Sequence, residues 1–206
     1  MKVLFVRHCE SEANILRELS NRGLRHPLTL AGREQASILG DKLRDKSITR
    51  VYSSPLLRAI ETSVIIANLL GSEYEVSEAL REYDLGDLEG RADEEAWQQW
   101  QRLFDSWSKH QRWEERIKGG ESFYEVKNRF VPFINGLVQK YQSTDANLLC
   151  VGHFGLYAMM LPLVLNNIDS KFIHEQKGFS FTDTVVSELT PKGLTCTDWN
   201  GTKISQ

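Results

Sequence analysis

Cysteine is scarce in this 206-residue chain: Cys9, Cys150 and Cys196 are odd in number, widely separated and without a C-x-x-C pair. That excludes a disulfide framework and a zinc finger, and it fits a reducing compartment. Long apolar runs are missing too. The longest, Leu156 to Leu165, has ten residues and contains Pro162, where a membrane helix needs ~20. Only four consecutive apolar residues, Val3 to Val6, precede Arg7, too few for the core of a secretion signal. A cytoplasmic protein without membrane association is expected. Neither sign of charge dominates, since 25 Lys and Arg meet 28 Asp and Glu for a net charge of −3. No strong field therefore attracts nucleic acid, and any anion the protein handles must be held by a local basic site. Repeats, low-complexity tracts and Pro/Gly/Ser-rich linkers are also absent, so residues 1–206 are read as one domain.

What is present is ordinary globular composition, 41% hydrophobic and 26% charged, with a regular alternation of element types. Strand-like runs at Val3–Val6, Ile48–Tyr52, Tyr74–Val76, Leu148–Val151 and Val185–Leu189 alternate with helix-like stretches at Ala31–Lys46, Pro55–Leu70, Ser122–Tyr141 and Phe154–Leu165. This predicts an α/β fold in three layers, a mainly parallel sheet flanked by helices. Thr29 suits a helix N-cap, Pro55 a first helical position and Gly71 a helix stop.

In open α/β sheets ligands collect beyond the carboxyl ends of the strands. Three such ends are polar here: Arg7-His8-Cys9-Glu10-Ser11, Ser53-Ser54-Pro55 with Arg58 one turn on, and Gly152-His153. Each residue alone has a plain structural reading. Together they supply guanidinium forks, imidazoles and helix amides, which hold a phosphate without a metal. The His-Cys pair also suggests a cysteine-dependent phosphatase loop, but that loop needs arginine where Ile15 stands.

The residues resemble the histidine phosphatase superfamily, or phosphoglycerate-mutase-like family. Arg7-His8-Cys9-Glu10-Ser11-Glu12-Ala13-Asn14 is similar to its R-H-G-E-[ST]-x-x-N signature. Pro27-Leu28-Thr29 through Gly32 with Gln35-Ala36, Ser53-Ser54-Pro55-Leu56-Leu57-Arg58-Ala59, Leu80-Arg81-Glu82 with Gly86 and Glu89-Gly90, Gly120-Glu121-Ser122, and Val151-Gly152-His153 resemble further blocks in the same order. Cys9 replaces the family glycine, which would permit a positive φ or a close backbone approach, so loop geometry is expected to depart there.

The resemblance implies a phosphomonoester hydrolase acting through phosphohistidine on a small phosphorylated metabolite, with no cofactor and no metal. It casts His8 as nucleophile, Arg7, Arg58 and His153 as the phosphoryl cradle, and Glu82 as the proton donor. Ser11, Asn14 and Phe154 are expected to contact substrate, whereas Glu10 and Glu89 are read as structural. A cofactor-primed phosphoglycerate mutase and a catalytically weak phospho-ligand-binding protein are the alternatives. Residues 91–118 are read as a helical insertion near the site. Within it Trp97, Trp100, Phe104 and Trp107 share one helical face, which serves either as a core stripe or as an aromatic lid.

Overall fold

The computed structural model describes residues 1–175 and 179–204. Strand β1 (Lys2–Arg7) is apolar from Val3 to Val6 because both of its faces are covered. Strand β4 (Asn147–Gly152) pairs with it in parallel, in register from Lys2 opposite Asn147 to Arg7 opposite Gly152. Alternate residues of the two strands enter separate cores, Val3, Phe5, Leu148 and Cys150 on one side, and Leu4, Val6, Leu149 and Val151 on the other. Strands β2 (Ile48–Ser53) and β3 (Glu73–Val76) extend the parallel half beyond β4. Across β1, strands β5 (Thr184–Thr190), β6 (Gly193–Trp199) and β7 (Thr202–Lys203) run antiparallel, giving the order β3-β2-β4-β1-β5-β6-β7.

Helices α2 (Leu30–Lys42) and α3 (Leu57–Leu70) cover one face through Leu39, Ala59, Ile66 and Ala67. Helices α4 (Glu94–Ser108), α5 (Phe123–Tyr141) and α6 (Phe154–Met160) cover the other through Trp107, Phe130, Ile134 and Tyr157. The three layers and the four parallel strands are those the sequence predicts. Thr29 caps α2 by accepting from the Gly32 amide at 2.9 Å, and Gly71 ends α3 at φ 64°. No helix among the described residues is long and apolar enough to cross a membrane.

Several boundaries differ. Helix α2 stops at Lys42, and a 3₁₀ turn (Arg44–Lys46) follows. Pro55 is not the first residue of α3; Leu56 is its N-cap and Leu57 opens it. Helix α6 ends at Met160 and becomes a 3₁₀ turn at Leu161–Leu163, since Pro162 has no amide to continue an α-helical ladder. Three elements went unread: the five-residue helix α1 (Glu12–Leu16), the six-residue helix α7 (Ser170–Glu175) and the β6–β7 meander.

The aromatic stripe of α4 divides along its length. Trp97 and Trp100 are half-buried, whereas Trp107 is fully enclosed, edge-on to Tyr83 with ring centroids 5.0 Å apart and donating Nε1–H to the Glu115 carbonyl at 2.8 Å. The core reading holds at Trp107, whereas Trp97 and Trp100 at the other end stay partly exposed. Trp107→Ala should therefore lower unfolding free energy by ~3–5 kcal/mol, the usual cost of deleting a buried aromatic. Urea titration measures it, and Trp97→Ala in the same assay should cost much less.

Candidate active site

The parallel ladder sets the site. Beyond the last residues of β1 and β2, the His8 amide donates to the Gly152 carbonyl at 3.0 Å and the Ser54 amide to the Val151 carbonyl at 2.9 Å. Arg7-His8, Ser54 and His153 thus leave three strands at one level. Arg58 enters from the first turn of α3, and Glu82 follows the 3₁₀ turn Glu78–Leu80. A cavity of about 280 Å³ lies over this edge, with Arg7, His8, Arg58, Glu82 and His153 in its wall.

The chemistry of its partners fixes the state of His8. Nδ1 lies 2.7 Å from the Cys9 carbonyl oxygen, which only accepts, so Nδ1 carries the hydrogen. Nε2 receives the Arg58 Nε–H at 3.1 Å, so it presents a lone pair. The ring is neutral, with its unprotonated nitrogen facing a guanidinium. Burial holds the His8 pKa well below the ordinary imidazole range, and the Arg58 and Arg7 charges push it the same way.

His153, whose ring centroid is 5.0 Å from that of His8, is the opposite tautomer. Its Nδ1 faces Arg58 Nη2 at 3.4 Å and accepts, so Nε2–H donates to Ser54 Oγ at 2.7 Å. Burial and then the Arg58 charge depress its pKa as well. Arg58 also donates to the Ser20 carbonyl at 2.7 Å and approaches Asn21 Oδ1 at 3.5 Å, and burial lowers its pKa to about 10. Arg7 donates to the Phe179 carbonyl, its guanidinium carbon 4.4 Å from the Phe181 ring centroid and 5.9 Å from that of Phe154. Neither arginine forms an ion pair among the described residues.

Glu82 is almost fully buried. It accepts from the Gly155 amide at 2.8 Å and the Tyr83 amide at 3.1 Å, near the start of α6. Burial raises its pKa, an effect the two amides and Arg58 only partly offset. Gly155 is indispensable to this contact, because a Cβ there would stand 2.4 Å from the Tyr83 ring and 3.0 Å from Glu82 Oε1. The loop carrying Glu82 is clamped by Glu121, which takes the Asp84 amide at 2.9 Å and the Arg129 guanidinium at 2.8 Å.

Of the remaining expected contacts, Asn14 and Phe154 line the cavity and Ser11 does not. Ser11 is corrected to a structural role. It is fully buried, and its amide and hydroxyl both donate to Asn14 Oδ1, at 3.0 and 2.7 Å, across the start of α1. Glu10 accepts from the Thr29 hydroxyl and Glu89 from the Asn21 amide, as structural carboxylates. Cys9 is not among the residues with positive φ, so the loop keeps a conformation open to any side chain. Sequence reasoning passed over Ser54, Asn21, Gly155 and Phe179. The first stood inside a quoted motif, Gly155 was visible only as a glycine two residues past His153, and the others carried no signal.

Residues 3–202 match the histidine phosphatase superfamily (branch 1). A probable phosphoglycerate mutase, GpmB, of Salmonella choleraesuis is 35% identical over 135 residues, 63% of this chain, and the match spans 59% of that relative's length. Among solved structures, the α-ribazole phosphatase of Shigella flexneri superposes with a TM-score of 0.78 at 25% identity, covering 100% of this chain and 99% of that one. Bacillus stearothermophilus YhfR gives 0.80 at 23% identity, covering 99% and 98%.

Two buried neutral imidazoles have a consequence for stability. Each takes up a proton on unfolding once the pH falls below the unfolded histidine value of about 6.5, while its folded form stays neutral. Unfolding free energy therefore decreases as pH drops from 7 to 5, and is unaffected by these groups above that range. His8→Asn or His153→Asn should flatten the slope by up to about 1.4 kcal/mol per pH unit. Denaturant titrations at a series of pH values test this, and an unchanged slope would show that the ring was already protonated in the fold.

Proposed function

This chain belongs to the histidine phosphatase superfamily, and from that premise we propose that it is a metal-independent phosphomonoester hydrolase acting through phosphohistidine on a small phosphorylated metabolite. The observation that carries this reading is the neutral His8 ring whose Nε2 lone pair meets Arg58 at 3.1 Å. A nucleophile needs that lone pair, and a phosphoryl group needs that charge.

A substrate phosphoryl group enters between His8 and the guanidinium groups. Nε2 attacks phosphorus as the P–O bond to the leaving group breaks, so the phosphoryl group moves to the ring. Arg58 and Arg7 neutralise charge on its oxygens through the transfer. His153 can donate through Nδ1 only after gaining a proton there, since Nε2–H stays on Ser54. A monoanionic ester supplies that proton, and the resulting imidazolium is then paired with a dianion. Glu82, its pKa raised by burial, gives its proton to the departing oxygen. As carboxylate it then takes a proton from the water that attacks phosphohistidine, and phosphate leaves. In this reading residues 1–206 act as one domain, and residues 91–118 form the wall next to the leaving group.

The name of the Salmonella relatives favours a second reading, phosphoglycerate mutase. It requires returning the phosphoryl group to a bound glycerate, so interconversion of 2- and 3-phosphoglycerate, without net phosphate release, would establish it.

Rapid quench with a ³²P-labelled monoester in EDTA should trap acid-labile, base-stable label on His8, and label on Cys9 would reject the mechanism. Glu82→Gln should slow alkyl phosphates by ~10²–10⁴ but slow p-nitrophenyl phosphate far less, because nitrophenolate departs unaided. Equal losses would remove Glu82 from the proton-transfer role.

A further inference from the structure

The cavity is sharply divided by chemistry. Among its described lining residues the only cations are Arg7 and Arg58, both at the strand ends with His8 and His153. The rest of the lining includes Trp97, Trp100, Phe154, Leu19 and Leu85. Phe154 follows His153 directly, so the aromatic wall begins beside the phosphoryl cradle. Its ring centroid is 6.4 Å from Trp100, which stands edge-on to Trp97 at 5.5 Å.

These rings are held in place. Trp97 Nε1–H donates to the Arg17 carbonyl at 2.8 Å, and Phe154 stacks on Phe104 at 5.8 Å with planes 14° apart. The acid in this part of the lining, Glu18, is already bound to Arg25 at 3.0 Å and His26 at 2.9 Å. Arg25 is thereby committed. A carboxylate or second phosphate on the leaving group would meet indole rings and a carboxylate among the described lining residues, while the exposed Arg17 guanidinium stands outside that lining, 5.9 Å from the Trp97 ring centroid. An uncharged ring would bury apolar area and stack.

We propose that Trp97, Trp100 and Phe154 form a leaving-group subsite for a planar, uncharged ring, making the substrate class ring-bearing monoesters whose only anionic group is the phosphate. This rests on the hydrolase reading for the identity of the phosphoryl end, but ring binding can be measured without turnover.

Calorimetric titration of the full chain with three phosphonates, whose P–C bond resists hydrolysis, tests it. Naphthylmethylphosphonate should bind at least about tenfold more tightly than methylphosphonate or 3-phosphonopropionate. The Trp97→Ala/Trp100→Ala pair should bring all three to within about threefold, and Trp97→Lys should shift preference toward the carboxylate-bearing ligand. Equal affinities in the unaltered protein, tighter binding of 3-phosphonopropionate, or no binding of the naphthyl ligand would each overturn the subsite. A ring preference retained by a protein that hydrolyses no monoester would instead support the subsite and overturn the activity.

Discussion

Two guanidinium groups, buried Arg58 and half-buried Arg7, have no carboxylate partner among the described residues and constrain everything else at the strand ends. Burying a cation costs several kcal/mol unless it is matched by opposite charge, yet Arg58 is enclosed with only carbonyl, amide and imidazole neighbours. Each neighbour is what a cation tolerates. The Ser20 and Phe179 carbonyls accept from the arginines, and both histidines are held neutral first by burial and then by the Arg58 charge. An anion entering the cavity would supply the missing charge.

The carboxylates are sorted by the same logic. Glu121 pairs with Arg129, Glu18 with Arg25 and His26, and Glu89 with loop amides, all at positions where the ionised form is matched. Glu82 alone is buried near the arginines without contacting either. Two amides hold its oxygens, and burial outweighs their influence and that of Arg58, so its proton is retained more readily than in water. Gly155 makes that position available, and the Glu121–Arg129 clamp prevents the loop from retreating. The raised pKa of Glu82 goes with a burial that is possible only where the backbone at Gly155 leaves room.

Much of this was legible in the sequence because parallel strands advertise themselves. Val3–Val6 and Leu148–Val151 are apolar on both faces, and polar residues immediately after them can lie only at the carboxyl edge. Arg7, His8 and His153, which gather at that edge, were therefore found by position. Ser11 was misjudged because a serine near a phosphate site and a serine at a helix start look alike in one dimension, and only the paired bonds to Asn14 separate them. The division of the α4 stripe was likewise hidden. Helical periodicity reports a shared face, but what that face meets changes from cavity at Trp97 to core at Trp107.

Cys9 departs from the family pattern without a positive φ in the loop. The contacts this position makes with the site run through its backbone: its carbonyl accepts from His8 Nδ1–H and its amide donates to Thr62 Oγ1 at 3.1 Å. The side chain packs with Leu28 and Ala36, and burial raises the thiol to about pKa 11. At neutral pH it is a protonated, apolar filler with no nucleophilic standing. A glycine would offer the same carbonyl and amide, and the φ actually adopted does not call for one. What this position supplies is therefore the direction of one carbonyl, since that carbonyl places the proton on Nδ1 and leaves the Nε2 lone pair directed at Arg58.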